Sequence, residues 1–287
     1  MESELAEEIV TTEAGLVGIA TLPEEGPVRH LPCLVVLNAG NMHRVGNGRI
    51  SVTLARRLAA NGHMVFRFDH AGVGDSAPRR DATDLGVDET RAAEIGDVLT
   101  LLERKYGVRQ FVVYGLCSGA RDGFRAAVKD SRIVGLVQID GFAYRNVRYH
   151  LTHFVSRLKE PRALYRSLGR MLSGRSSPEA ASSTKDMWVQ EWKEYPPRAE
   201  VEDGYRKLVE RGVAMYVVYT GSWQHEYNYR RQFLDTYRSI EFGDLLTLSY
   251  LPEAEHTLPD PAHRKMVLDG VCDWMGRIFG QDPGIAS

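Results

Sequence analysis

The residues best suited to chemistry form a five-residue motif, Gly115-Leu116-Cys117-Ser118-Gly119, which directly follows an apolar run of strand type. The motif has the G-x-S-x-G spacing of a nucleophile elbow, with cysteine at the central position. Glycines are needed at both ends because side chains there would collide with the tight turn. Unpaired N–H groups and the dipole of the following helix favour a reactive thiolate. The motif predicts nucleophilic catalysis by Cys117. Ser118 is a poorer candidate, because its flanking positions would not be glycines.

Elements on both sides of the motif must hold it in place. Apolar runs predict strands, and apolar residues at helical spacing predict helices. Strands are expected at 7–12, 16–22, 31–37, 65–68, 111–114, 133–139, 215–219 and 246–250. Helices are expected at 50–60, 88–106, after Gly119 and at 262–279. This alternation predicts an α/β protein with a mostly parallel central sheet flanked by helices.

Four segments together resemble the α/β-hydrolase superfamily over nearly the whole chain. They are G-L-C-S-G at 115–119, A-G-N at 39–41, F-D-H-A-G-V-G-D-S at 68–76, and His256. L-N-A-G-N-M-H-R-V-G and Y-G-L-C-S-G-A also resemble bacterial hydrolases associated with exosortase systems and related proteins near natural-product gene clusters. The resemblance implies the α/β-hydrolase fold. Two features depart from the superfamily pattern, since the first loop has no His-Gly pair and the loop after 215–219 lacks an early aspartate.

In this fold the acid and then the histidine follow the nucleophile along the chain. His256 lies after the last predicted strand and before the final helix, where the fold keeps its base. Glu226 is the first candidate for the acid, as the only carboxylate in the loop after 215–219. Asp140, which ends the strand at 133–139, is the alternative. Either carboxylate would orient the imidazole and stabilise its charged form.

An oxyanion hole is expected beside the nucleophile. The backbone N–H of Ser118, the residue after the nucleophile, is one predicted donor. By alignment with the usual His-Gly loop, the backbone N–H of Asn41 is the second. The other interpretation is that Asn38 and Asn41 only serve turn geometry.

No metal or cofactor site is predicted. The loop from Asp69 to Ser76 is interpreted as scaffold, because its glycine spacing matches neither a dinucleotide-binding loop nor a P-loop. His43 and His70 do not stand at metal-ligand spacing from other Cys, His or Asp residues.

A helical cap is predicted at 142–205, inserted into a hydrolase core of 1–141 and 206–287, because this section has no convincing core strand. Between Phe142 and Ser177 the chain has eight Lys or Arg residues and one acid, Glu160. A basic cap would suit the phosphates of coenzyme A or an acidic acyl carrier protein. A solvated helix face is the alternative interpretation.

Composition sets the remaining limits. The net charge of −2 gives no overall field that favours nucleic acid or a membrane surface, and no apolar stretch is long enough to span a membrane. Three cysteines do not form a disulfide framework, and Cys33 and Cys272 are expected to be small buried hydrophobes. With no signal-peptide pattern, these features predict a cytoplasmic protein.

A cysteine nucleophile with a histidine base forms an acyl-cysteine thioester in a two-step reaction. The predicted function is a thioesterase or acyltransferase acting on an activated acyl group. One alternative is a carboxylester or lactone hydrolase of the dienelactone-hydrolase type, although those relatives are smaller and lack such a cap. The second alternative is a catalytically silent protein that binds a partner through the cap.

Overall fold

A computed structural model describes residues 5–27, 30–78, 86–158, 195–223 and 225–280. Its centre is an eight-stranded sheet in the order β1-β2-β4-β3-β5-β6-β7-β8. The strands are β1 Ala6–Thr11, β2 Val17–Leu22, β3 Cys33–Val36, β4 Val65–Phe68, β5 Phe111–Leu116, β6 Ile133–Ile139, β7 Ala214–Thr220 and β8 Leu246–Leu251. Pairings of β1 with β2 and of β2 with β4 are antiparallel, and the other five are parallel. The predicted mostly parallel sheet is confirmed.

Helices cover both faces of the sheet. They are α1 Ile50–Ala59, α2 Val87–Tyr106, α3 Ser118–Lys129, α4 Val147–Leu158, α5 Arg198–Glu210, the short α6 Gln232–Thr236 and α7 Pro261–Phe279. One apolar cluster joins α1 and α7 to one face of the sheet, and another joins α2, α3 and α5 to the opposite face. Central strands such as β3, β4 and β7 are buried throughout, because helices cover both sides of them.

The predicted boundary between cap and core needs correction. It was placed between residues 205 and 206, which lies inside the continuous helix α5. Val201, Tyr205 and Leu208 of this helix are buried in the core, and α5 packs against α3. Helix α5 is therefore a crossover of the α/β core, and the core resumes by Arg198. Residues 159–194, the rest of the predicted cap, lie outside the described part of the chain.

Two further expectations concern burial and membranes. Cys33 and Cys272 are buried, as predicted, in the two apolar clusters. Burial raises the pKa of both thiols. Among the described helices, none combines the length and apolar character needed to cross a bilayer.

Candidate active site

The nucleophile elbow has the strained geometry that the motif predicts. Strand β5 ends at Leu116 and α3 begins at Ser118, so the whole turn is made at Cys117, which has φ 63° and ψ −121°. A non-glycine residue is uncommon at positive φ, and such strain concentrates at functional sites. The Cys117 N–H donates to the Ile139 carbonyl at 2.9 Å, which ties the turn to the end of β6.

The two glycines of the motif are required by close backbone approach. A Cβ at Gly115 would lie 2.1 Å from the backbone of Gly119, and a Cβ at Gly119 would lie 2.5 Å from the Asn38 carbonyl oxygen. Both contacts are with main chain, which cannot move aside as a flexible side chain can. The predicted steric role of the glycines is confirmed.

Three side chains from three loops meet at the carboxyl edge of the sheet. His256 Nδ1 lies 2.7 Å from Asp140 Oδ2, and the imidazole also hydrogen-bonds the Cys117 side chain. Because Nδ1 faces Asp140, the other ring nitrogen, Nε2, is the one available to the thiol. The Cys117 side chain is largely buried, whereas His256 is 20% exposed, so the imidazole borders solvent. The arrangement is that of a Cys-His-Asp triad.

The charge state of the imidazole is set by its two partners. Burial alone lowers the pKa of His256, but the hydrogen bonds and negative charges of Asp140 and Cys117 outweigh burial and raise it to about 9. Both partners therefore favour the protonated form of the imidazole. A protonated histidine beside a cysteine favours the thiolate, which is the nucleophilic form.

Of the two candidate acids, Asp140 and not Glu226 contacts His256. Glu226, the first candidate, accepts a hydrogen bond from Arg145 Nη2 at 2.8 Å, so its carboxylate is directed to the start of the α4 region. Asp140, the alternative, is buried and contacts His256 directly. Loop length alone could not reveal this, because Arg145 and Tyr149 both bond the His225 carbonyl and so fix the chain next to Glu226.

The loop after β3 is attached to the elbow by a side chain. The Gly40 N–H donates to Ser118 Oγ at 2.6 Å, which places residues 38–41 beside the start of α3. Asn38 is buried and accepts from the His70 N–H at 2.8 Å, so it serves loop geometry. Asn41 is exposed. The amide that lies against Ser118 is thus that of Gly40, and the donor role of Asn41 stays a prediction.

The described residues include one group with potential metal ligands, formed by His43, Asp69 and Asp75. Arg44 lies between the two carboxylates: its guanidinium bonds Asp69 and, at 2.6 Å, Asp75. The Arg44 backbone N–H also donates to Asp69 at 2.6 Å. Since the arginine supplies the positive charge that a cation would bring, the group is an ion-pair network that fixes the loop after β3.

Two aromatic residues near the triad were not found from the sequence. The Trp223 ring stacks on the His256 imidazole at a centroid distance of 4.8 Å and an interplanar angle of 18°. Burial raises the pKa of Tyr195 to about 12, and the charges of Arg121, Glu226 and Cys117 all act on its phenol. Trp223 lies directly after β7, where the fold brings residues to the site, so its position in the sequence could have indicated a role there. No sequence pattern indicated Tyr195.

A small cavity of about 30 Å³ lies next to the site. Its walls include Leu116 and Thr257, the chain neighbours of Cys117 and His256, but neither of those two side chains.

Comparison with known proteins supports the fold. No family model matches the chain, and no curated protein matches its sequence significantly. Solved structures do match. An esterase from Pyrococcus furiosus has a TM-score of 0.63 at 15% identity, over 96% of this chain and 92% of that one. A putative α/β hydrolase from Agrobacterium tumefaciens has 0.59 at 13%, over 96% and 98%. A serine hydrolase without a lid, from Xanthomonas campestris, has 0.56 at 16%, over 98% of each chain.

The chain has the α/β-hydrolase fold, and the fold prediction is confirmed. Identities this low show the fold and leave the reaction to be argued from the residues of this chain.

Proposed function

We propose that this protein is an acyl-transfer enzyme, a thioesterase or acyltransferase, that acts through an acyl-cysteine intermediate on an activated thioester substrate. The observation that supports the proposal most strongly is the line of contacts from Cys117 to His256 to Asp140 at a strained strand-to-helix turn. A structural cysteine needs neither the strained backbone nor a histidine held by a buried carboxylate.

The reaction begins with attack of Cys117 Sγ on the carbonyl carbon of the substrate. The tetrahedral intermediate collapses, the bond to the leaving thiol breaks, and His256 gives its proton to that thiol. The acyl group is then joined to Cys117 by a thioester bond. In the second half, an acceptor attacks the same carbon and gives its proton to His256, and Cys117 leaves as a thiolate.

The oxyanion of both intermediates requires donors near Cys117. The Ser118 N–H lies at the first turn of α3, where backbone N–H groups are unpaired within the helix. The Gly40 N–H is engaged by Ser118 Oγ, so the loop after β3 is held against this site. We propose Ser118 N–H and Asn41 N–H as the two donors.

Acylation removes the Cys117 negative charge, one of the causes that raise the pKa of His256. The imidazole then becomes less basic and more readily deprotonated, as a general base for the acceptor requires. A thioester suits the first step because its leaving thiolate is stable and needs little help from the acid.

We propose coenzyme A or an acyl carrier protein as the carrier of the acyl group. Arg145 and Arg148, at the start of the predicted basic cap, pair with Glu226 and Asp235. Coenzyme A or an acyl carrier protein would instead contact the remaining basic residues, Arg157 to Arg175, whose side chains lie outside the described part of the chain.

The test is intact-mass spectrometry after incubation with acetyl-, butyryl- and octanoyl-coenzyme A. Wild type should gain the mass of one acyl group, and Cys117→Ala should gain none. Cys272→Ala is the matched control, because it removes another free, buried cysteine far from the triad and should acylate normally.

The same samples separate the alternatives. Turnover of small aryl esters without any thioester adduct would favour a carboxylester hydrolase. No adduct from either substrate, with Cys117 also inert to iodoacetamide, would reject the enzyme in favour of a partner-binding protein.

A further inference from the structure

The indole of Trp223 stacks on the proposed base. Its ring and the His256 imidazole are nearly parallel, 18° apart, with centroids 4.8 Å from each other. Trp223 is 8% exposed and His256 is 20% exposed, so this contact is mostly shielded from water. Shielding strengthens the attraction between a cation and the negative face of an aromatic ring.

Trp223 is itself fixed from several directions. It belongs to the short 3-10 helix Gly221–Trp223 that directly follows β7. Its carbonyl accepts from the Glu226 and Tyr227 N–H groups at 2.8 and 2.7 Å. The His225 ring lies 5.1 Å from the indole, and the Tyr195 hydroxyl has a polar contact with it. The indole is therefore a rigid surface against which the imidazole lies.

We propose that Trp223 is a positioning residue for His256, and that its ring face stabilises the protonated imidazole that acts as the acid in acyl transfer. The catalytic meaning of this inference rests on the proposed function, whereas the contact itself does not. Two independent constraints then orient the ring: Asp140 binds Nδ1 in the ring plane, and Trp223 covers one face. Together they direct Nε2 to Cys117.

Other charged groups near His256 must be separated from this effect. Asp140 and Cys117 bond the imidazole directly, and both favour its protonated form. Glu255 is the preceding residue in the chain and is exposed. His225 and the Tyr195 phenol are titratable groups on the Trp223 side. A test must therefore change the indole while leaving all five groups in place.

The first experiment is an NMR titration of the His256 ring in wild type, Trp223→Phe and Trp223→Leu. Leucine keeps bulk but has no aromatic face, so the midpoint should fall by about one pH unit, with phenylalanine between. His225→Ala is the matched control: it removes the other ring on Trp223, and the His256 midpoint should stay where it is in wild type. An unchanged midpoint in Trp223→Leu would overturn the proposal.

A second experiment avoids any change of shape, in case the leucine variant fails to fold. The chain has four tryptophans, and all can be replaced during expression by mono-, di- or trifluorotryptophan. Each fluorine weakens the negative ring face while nearly preserving its shape. The His256 midpoint should fall stepwise with fluorine number in wild type and not in Trp223→Phe. A His256 midpoint that does not change with fluorine number in wild type would overturn the proposal.

These titrations need no substrate, so their failure is distinguishable from failure of the proposed function. If Cys117 forms no acyl adduct but the His256 midpoint falls stepwise, the role of Trp223 is supported and the proposed reaction is rejected. If adducts form but the midpoint does not change with fluorine number, the proposed reaction is supported and the role of Trp223 is rejected.

Discussion

Asp140 is held in place by several contacts besides its contact with His256. Its N–H donates to the Val218 carbonyl at 2.9 Å, and its carboxylate accepts from the N–H and hydroxyl of Thr220 at 2.7 and 2.6 Å. These bonds come from the end of β7, the neighbouring strand. A carboxylate fixed in this way cannot rotate, so it orients the imidazole and stabilises its positive charge.

This geometry predicts that the two candidate acids differ sharply on mutation. Asp140→Asn should lower the rate of Cys117 acylation by about 10³–10⁴-fold, because the imidazole loses its charged partner. Glu226→Gln should change the rate by less than about threefold, because the partner it loses, Arg145, is half exposed and such pairs contribute little.

Quenched-flow mass spectrometry of the acyl adduct measures both rates. A larger loss in Glu226→Gln than in Asp140→Asn would contradict the assignment of the acid and restore the original order of preference.

At the scale of elements, the elbow depends on how closely α3 approaches β5. The two meet at Gly115 and Gly119 with no space for a Cβ, and the loop after β3 closes over them at Asn38. Helix α3 also carries Phe124 and Ala127 into the core beneath it. The turn at Cys117 and the packing of α3 therefore share one set of contacts, and a change to the turn acts on stability as well.

Gly115→Ala should destabilise the protein by about 3 kcal/mol or more, because the new methyl meets main chain that cannot retreat. Gly96→Ala is the matched control: Gly96 lies inside α2 with nothing near its Cβ position. That substitution should stabilise the protein by about 0.5–1 kcal/mol, since alanine has the higher helix propensity.

Urea unfolding followed by circular dichroism gives both free energies. Equal effects of the two substitutions would show that the close approach at Gly115 does not constrain the turn.

At the scale of the whole molecule, the sheet brings the triad together. Strands β5, β6 and β8 run parallel, so their carboxyl ends lie at one edge, and Cys117, Asp140 and His256 follow those ends. Ligand and catalytic sites of open α/β sheets form at this edge. The site joins residues that follow three different strands, so the charges of these residues also contribute to the stability of the fold.

The stability of the fold should depend on the His256 charge. The pKa of His256 is about 9 in the folded protein and 6.5 as its ordinary value. The folded state therefore binds the proton more tightly, and this contribution is fully present below about pH 6.5 and is lost as the pH rises through about 9.

The free energy of unfolding of wild type minus that of His256→Gln measures this contribution, by urea titration from about pH 6 to pH 10. The difference should shrink as the pH rises. A difference that is constant or grows would contradict a protonated His256 in the folded state.

Much of this protein follows from the sequence alone. Strands β4 and β6 and the start and end of α7 were predicted to within a residue. Burial on both faces makes most residues of these strands apolar, and α7 keeps a regular helical period. The turn at Cys117 could also be predicted from the sequence, since such a turn needs glycines at fixed spacing around Cys117. His256 was predicted from its place between the last strand and the last helix, and its ring contacts Asp140 and Cys117.

Only the tertiary structure decided which carboxylate meets the histidine and what covers the imidazole. The sequence favoured Glu226 over Asp140, but Arg145 binds Glu226, and the ends of β6 and β7 direct Asp140 to His256. The sequence also did not show that α5 belongs to the core, since its role as a crossover appears only in its packing on α3. Local patterns determine elements and turns, whereas contacts between distant side chains depend on how the elements pack.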